Sequence, residues 1–297
     1  MARHAAFLLV NFASILFPAS MAFSLRTLPP SLPVMNRRTT GRLLPLPTPT
    51  TTTNLLCVAD AASELESFTS PRRLMYGALW TGLLGYATYF TKSVNVDEQV
   101  AAKVLNTAVF TPFDGTLSPV FISLFFALGV LPSVYACLLL PASKRQRIWA
   151  FPFVASSFFL GFFGIGPYLG LRNKPSADVA APWTRANADI GSGVLEFKGT
   201  PLFLLLSACY LVYYACYGEY AADRWQGFAE LFDTQPLARI STIDFTILSL
   251  AMFDPLEEDM RRRRYSGPDA KLFCSLPVIG PLVYLLLRPP VTAGEDA

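Results

Sequence analysis

The sequence predicts an all-α polytopic membrane protein: a bundle of about six transmembrane helices with one amphipathic helix at the membrane interface. Three observations predict it. Hydrophobic residues make up 53% of the chain and charged residues 15%, where a soluble domain carries about 25% charge. The mean hydropathy is +0.40. The apolar residues come in long blocks, without the apolar–polar alternation of a half-buried strand.

The blocks can be taken in order. Leu74 to Phe90 follows Pro71-Arg72-Arg73 and opens the membrane domain, expected over 71–290. Gly77, Thr81 and Gly85 are spaced by four, as are Ala78 and Gly82. Small residues at that spacing let helix backbones approach closely in lipid, so this face is expected to pack against another helix of the chain. The polar loop Ser93 to Thr116 carries a short helical pattern at Val100, Val104 and Val109. The second span is Pro119 to Leu140, with a kink expected at Pro132, which removes a backbone donor. The third is Trp149 to Leu171, where Gly161, Gly164, Gly166 and Pro167 predict a broken or tightly packed second half. The short connection predicts that these two spans form an antiparallel hairpin.

After a polar loop from Asn173 to Gly199, Thr200 to Tyr217 forms the fourth span. In Ala221 to Phe232, the residues Trp225, Phe228, Leu231 and Phe232 oppose Asp223, Gln226 and Glu230. That one-sided pattern predicts a helix lying on the membrane surface, ended by Pro236. The fifth and sixth blocks, Leu237 to Phe253 and Leu272 to Leu287, are short. Sixteen helical residues cover about 24 Å, less than the roughly 30 Å hydrocarbon core. They are expected to be tilted neighbours, extended spans or a re-entrant pair. Residues 291–297 are expected to be a disordered tail.

The leader has two parts. Arg3, an apolar run from Ala5 to Phe17 and small residues at Ser20 and Ala22 describe a signal peptide over 1–22, cleaved before Phe23. Residues 23–60 hold Arg26, Arg37, Arg38 and Arg42 among many Ser, Thr and Pro, with no acid before Asp60. That is the composition of a transit peptide. Signal peptide, Phe, then transit peptide resembles the two-part targeting signal of algae with secondary plastids. The expected location is therefore a plastid membrane, thylakoid or envelope. The competing expectation is a secreted or endomembrane protein with a Pro/Thr-rich linker.

The only histidine is His4, inside the leader. The mature chain thus lacks an imidazole for haem, metal or general-base work, and no cofactor is expected. The net charge of +3 includes the basic leader and points to no nucleic-acid partner. Cys137, Cys209, Cys216 and Cys274 lie in apolar segments and are expected to be small buried hydrophobes. No P-loop, nucleophile elbow, H-E-x-x-H or dinucleotide fingerprint is present.

Candidate chemistry concentrates in the C-terminal third. Asp244, one turn into an apolar segment, is the candidate catalytic, proton- or ligand-handling acid, because intramembrane carboxylates face a bundle interior or a partner. The alternative is an interfacial Asp bonded to local Ser241 or Thr242 and to Arg239. Asp254, Glu257, Glu258 and Asp259 form an acidic cluster of hard oxygen ligands, and so are candidates for a cation such as Mg²⁺. Their spacing matches no defined ion-binding loop. The favoured expectation is a solvated helix end where they pair with Arg261 to Arg264 at helical spacing, for example Glu257 with Arg261. The Arg run also suits anionic lipid head groups.

Leu124 to Pro132 with Tyr135 to Pro141, Ile243-Asp244-Phe245, Asp259-Met260-Arg261-Arg262 and Pro277 to Pro289 resemble a family of multi-span membrane proteins of cyanobacteria and plastids. That resemblance implies location but no activity. The layout of a short span, an acidic helix end and a short Pro/Gly-containing span is similar to plastid neoxanthin synthase, and carries over no site residue. The expected function is a non-enzymatic scaffold or assembly factor of a photosynthetic membrane complex. Expected partners are membrane lipids, with other membrane proteins or pigments as further candidates. The alternatives are an enzyme of carotenoid or lipid metabolism, or a small-solute carrier using Asp244.

Overall fold

The structure is a computed structural model and describes residues 70–93, 98–141, 148–172, 192–217 and 223–289. The signal and transit peptides expected over 1–60 and the tail over 291–297 lie outside the described residues. The chain divides into two compact units, Met1–Pro71 and Arg72–Ala297, and the second holds nearly all that is described.

The described residues are helical, with no strand among them. The helices are α1 (Pro71–Ser93), α2 (Glu98–Phe110), α3 (Pro119–Leu139), α4 (Phe151–Leu160), α5 (Phe162–Leu171), α6 (Ser192–Glu196), α7 (Gly199–Tyr217), α8 (Arg224–Thr234), α9 (Pro236–Ala251), α10 (Phe253–Arg262), α11 (Ala270–Cys274) and α12 (Ile279–Leu287). Three are long and apolar enough to cross a membrane: α3, α7 and the continuous stretch Pro236–Arg262 that joins α9 to α10. The fifth block is thus longer than its sequence promised, because helix continues from the apolar α9 into the charged α10. α1 is 23 residues long, about 35 Å of helix.

Hydrogen bonds fix the directions. Arg72 donates to the carbonyls of Leu169 and Arg172, and Trp80 donates to that of Phe163, so α1 runs antiparallel to α5. Ser123 donates to the Leu211 carbonyl, and Arg288 bridges the carbonyls of Cys137 and Leu195, so α3 runs antiparallel to α7. Tyr135 donates to the Leu248 carbonyl while Ala238 packs with Phe121 and Ile122, so α9 runs parallel to α3. α10 closes one end of this bundle and α8 lies at the other, where Ser118 at the start of α3 donates to the Arg224 carbonyl.

The third expected span does not form one rod. Gly161, with φ 55° and ψ −129°, breaks it into α4 and α5. The two halves fold back on each other, with the Phe153 and Tyr168 rings 5.7 Å apart. A φ near +55° costs most residues dearly and glycine little, which is why the break falls there. The sixth block is likewise two short helices, α11 and α12, folded together with Phe273 against Tyr284 at 5.7 Å. Gly280 sits so close to the Phe273 carbonyl that a Cβ there would overlap it. Both hairpins enter from the α10 end and return to it.

Other expectations change. Among the described residues, the Gly77–Gly82–Gly85 face of α1 has no neighbour within 4 Å of where a Cβ would stand, so it packs on none of the described helices. Tyr76, Leu83 and Phe90 face inward instead, at heptad spacing. α3 continues as helix through Pro132. Cys209 and Cys216 are exposed and Cys274 is half-buried; Cys137 alone of the four is buried. The surface pattern before Pro236 is α8, which buries no residue and leaves Trp225 exposed. Pro236 starts the next helix, a position where its missing N–H costs nothing.

Candidate functional site

Asp244 lies on α9, 6% exposed, facing the tip of the α4–α5 hairpin. Its Oδ1 accepts a hydrogen bond from the Phe162 backbone N–H at 2.8 Å, the first residue of α5. A helix start leaves backbone donors without intrahelical partners and carries positive dipole charge, so a carboxylate satisfies both needs. A Cβ on Gly161 would overlap the Asp244 carboxylate. Glycine is therefore required twice here, for its φ and for the space. Neither Arg239 nor the local hydroxyls hold Asp244. Arg239 turns away to the Phe232 carbonyl and to Asp233, and Thr242 donates to the Ala238 carbonyl.

The acidic block is largely buried, with Glu257 half-buried at a cleft. Glu258 is 4% exposed and Asp259 2%. α10 turns alternate carboxylates to opposite sides, and each side meets arginines from distant parts of the chain. On one side Asp254 accepts from Arg72 at 3.0 Å and Arg172 at 2.8 Å. Glu258 pairs with Arg172 at 2.8 Å and with Arg262 one turn on. On the other side Asp259 accepts from Arg263 at 2.9 Å and from the Tyr284 hydroxyl at 2.7 Å, with Arg288 at 3.4 Å. Glu196 completes this cluster with Arg263 at 2.6 Å and Arg288 at 3.0 Å. Burial opposes the Arg263 charge, but Asp259 and Glu196 outweigh it and hold the guanidinium pKa above its ordinary value. Lys198 donates to the carbonyls of Leu285, Leu286 and Arg288, capping the C-terminus of α12.

The metal candidates Asp254, Glu257, Glu258 and Asp259 therefore do not converge. Asp254, Glu258 and Asp259 point into two guanidinium-filled clusters, and no group of three or more metal-ligating side chains stands together among the described residues. Inside a low-dielectric bundle a matched cluster is tolerated where a lone charge is not.

The residues that sequence reasoning missed are Arg72, Arg172, Glu196, Tyr284 and Arg288. A signal for three of them, Arg172, Tyr284 and Arg288, was present. Ile165-Gly166-Pro167-Tyr168-Leu169-Gly170-Leu171-Arg172 and Ile279-Gly280-Pro281-Leu282-Val283-Tyr284-Leu285-Leu286-Leu287-Arg288 share Ile-Gly-Pro, then Tyr-Leu-x-Leu-Arg, with two residues inserted in the second. Each motif builds the returning helix of a hairpin, and each terminal Arg docks on carboxylates of α10.

Two clefts accompany these elements. One, of about 390 Å³, lies between α10 and α11, lined by Phe253, Glu257, Arg261, Arg264, Tyr265 and Lys271 among others. The other, of about 210 Å³, is apolar and lies between α3, α7 and the Pro277–Ile279 tip. Asp244 lines neither.

Comparison with known protein families, with curated proteins and with solved structures finds no match to this chain.

Proposed function

We propose that this chain is a non-enzymatic scaffold or assembly factor of a photosynthetic complex, resident in a plastid membrane, the thylakoid. The observation that carries the reading is the way its buried charge is spent. The described residues bury Arg172, Asp244, Glu258, Asp259, Arg262, Arg263 and Arg288, and each is held by a helix end or an opposite charge of the same chain. Catalytic acids need access to a substrate, whereas Asp244 is closed in against Gly161 and Phe162 and faces neither cleft. The plastid assignment rests on the acid-free, Arg/Ser/Thr-rich composition of residues 23–59 behind an apolar run.

A second reading is a small-solute carrier. The repeated Ile-Gly-Pro hairpins favour it, since transporters build midplane sites from repeated, interrupted helices. One experiment separates the two: depletion of the protein in its host, followed by native separation of membrane complexes and a full pigment profile. The scaffold reading expects one complex to be lost or stalled while the pigment precursors stay at their ordinary levels. Build-up of a single pigment or lipid precursor would replace it with the enzyme reading. Intact complexes with an altered solute gradient would replace it with the carrier.

A further inference from the structure

The four-arginine run Arg261 to Arg264 is divided by the fold. Arg262 and Arg263 turn inward to the carboxylates of α10 and Glu196. Arg261 and Arg264 are exposed and take part in no ion pair among the described residues, and the same is true of exposed Lys271 on α11. These three cations line one cleft of about 390 Å³.

The backbone at this cleft is arranged around Arg264. Tyr265 N–H bonds back to the Met260 carbonyl and Arg264 N–H to that of Arg261, which closes the C-terminus of α10. Arg264 has φ 50° at the position just past the helix, where glycine is the usual residue. An arginine held in that conformation points to a use for its side chain rather than to a need of the fold.

The surroundings say what kind of ligand fits. Phe253, Met260 and Tyr265 form an apolar floor. Next to it, Leu272 and Leu276 are 61% and 59% exposed on the α11 side, where the chain turns back into the bundle. The stretch long and apolar enough to cross a membrane ends at Arg262, so the three cations stand at its polar end, beside the exposed apolar surface of Leu272 and Leu276. Glu257 and Asp269 also line the cleft, which leaves the basic side in excess by a single charge and suits a singly charged anion.

We infer that this cleft binds a phosphate group carrying one negative charge, held by Arg261, Arg264 and Lys271. The head group of an anionic phospholipid supplies that chemistry together with acyl chains for Leu272 and Leu276. Free phosphate supplies the charge alone. The inference is independent of whether the chain is a scaffold or a carrier.

The test uses the full-length protein in phosphatidylcholine nanodiscs, with and without a minor fraction of phosphatidylglycerol, and separately with added inorganic phosphate. Binding is read by native mass spectrometry and by the shift of the thermal unfolding midpoint. The variants are Arg261→Gln, Lys271→Gln, Arg264→Gly and the triple combination. Arg264→Gly removes the charge while relieving the left-handed backbone, so it folds at least as well as the parent and decides the matter if the triple variant does not fold. Lys103→Gln, on α2 near the α8 end, is the control. Each single cleft variant is expected to weaken phosphatidylglycerol retention about fivefold, the effect of one cation at a membrane surface, and the triple variant more than any single one. Retention lost in the cleft variants and kept in Lys103→Gln supports the site with a lipid occupant. A phosphate-dependent shift lost in the same variants, without lipid retention, supports it with a soluble occupant. Unchanged retention in Arg264→Gly and the triple variant, or equal binding of both lipids by the parent together with no phosphate-dependent shift, overturns it.

Discussion

Gly161 and Asp244 form a pair whose energetics can be worked out from geometry. Replacing Gly161 by alanine imposes two separate costs. The first is conformational: at φ 55° and ψ −129°, outside the left-handed α region, an L-residue pays about 1–3 kcal/mol. The second is steric and electrostatic. The new Cβ occupies the volume of the Asp244 carboxylate, which must leave Phe162 N–H. A buried donor stripped of its partner costs about 1–3 kcal/mol. Gly161→Ala should therefore destabilise the protein by about 2–6 kcal/mol. Asp244→Ala makes room for the Cβ and has already taken the partner from Phe162. In that background Gly161→Ala should cost only its conformational share, about 1–3 kcal/mol. The two substitutions are thus expected to be less than additive, with a coupling of about 1–3 kcal/mol. Asp244→Asn should be much milder than Asp244→Ala, because its amide oxygen still accepts from Phe162. The assay is reversible denaturation of the four members of the cycle, and of Asp244→Asn, in detergent micelles. Additive costs within error would refute the claim that Asp244 exists to cap α5. So would an Asp244→Asn variant as unstable as Asp244→Ala.

Two further outcomes are expected. Asp259→Ala leaves Arg263, Arg288 and Tyr284 facing an empty position inside the bundle, and should destabilise by about 3–5 kcal/mol; Glu230→Ala on exposed α8 should stay within about 0.5 kcal/mol in the same denaturation assay. At the surface, the Thr116 N–H and hydroxyl both donate to Asp114 and hold its carboxyl below the ordinary carboxylate value. A lowered folded-state pKa contributes stability above the unfolded value that is lost as pH falls through the carboxylate range. Thermal unfolding of the parent should therefore fall slightly more steeply on acidification than that of Asp114→Asn, and identical pH profiles would count against the bond.

What was legible in the sequence was whatever depends on a local pattern. α3 and α7 could be placed from apolar block length alone, and α8 from the one-sided spacing of Trp225, Phe228, Leu231 and Phe232. Chain direction is not a local property. Trp149 to Leu171 has the length and apolarity of a span, and hydropathy is the same whether a segment continues or folds back. The glycines flagged the break, but only the φ of Gly161 turns it into a hairpin. The acidic block misled for a related reason. Its neighbours in sequence supply enough arginine to pair every carboxylate locally, so a solvated helix end was the economical expectation. The distant partners that bury it, Arg72, Arg172 and Arg288, come from three other segments.

The distances along two helices explain why charge is concentrated on α9 and α10. Asp244 meets Phe162 at the start of α5, and Asp254 meets Arg172 at its end. Both intervals are ten residues, so α5 and the α9–α10 helix run side by side in register over about 15 Å. One continuous helix thus holds both ends of α5, by a carboxylate on its N-terminus and by an ion pair at the α10 end. The second hairpin is held at the same end through Asp259 and Arg288, while its own tip is closed by the tight Gly280–Phe273 approach. In lipid the apolar surfaces of α5 and α12 gain little from leaving their surroundings, because hydrocarbon solvates them as well as protein does. Polar anchors must then supply the specificity that burial supplies in water. A short helix that spans only part of the membrane needs such an anchor at each end. The carboxylates of α9 and α10 are placed where those needs arise, which accounts for Asp244 and the acidic block without assigning either to a substrate.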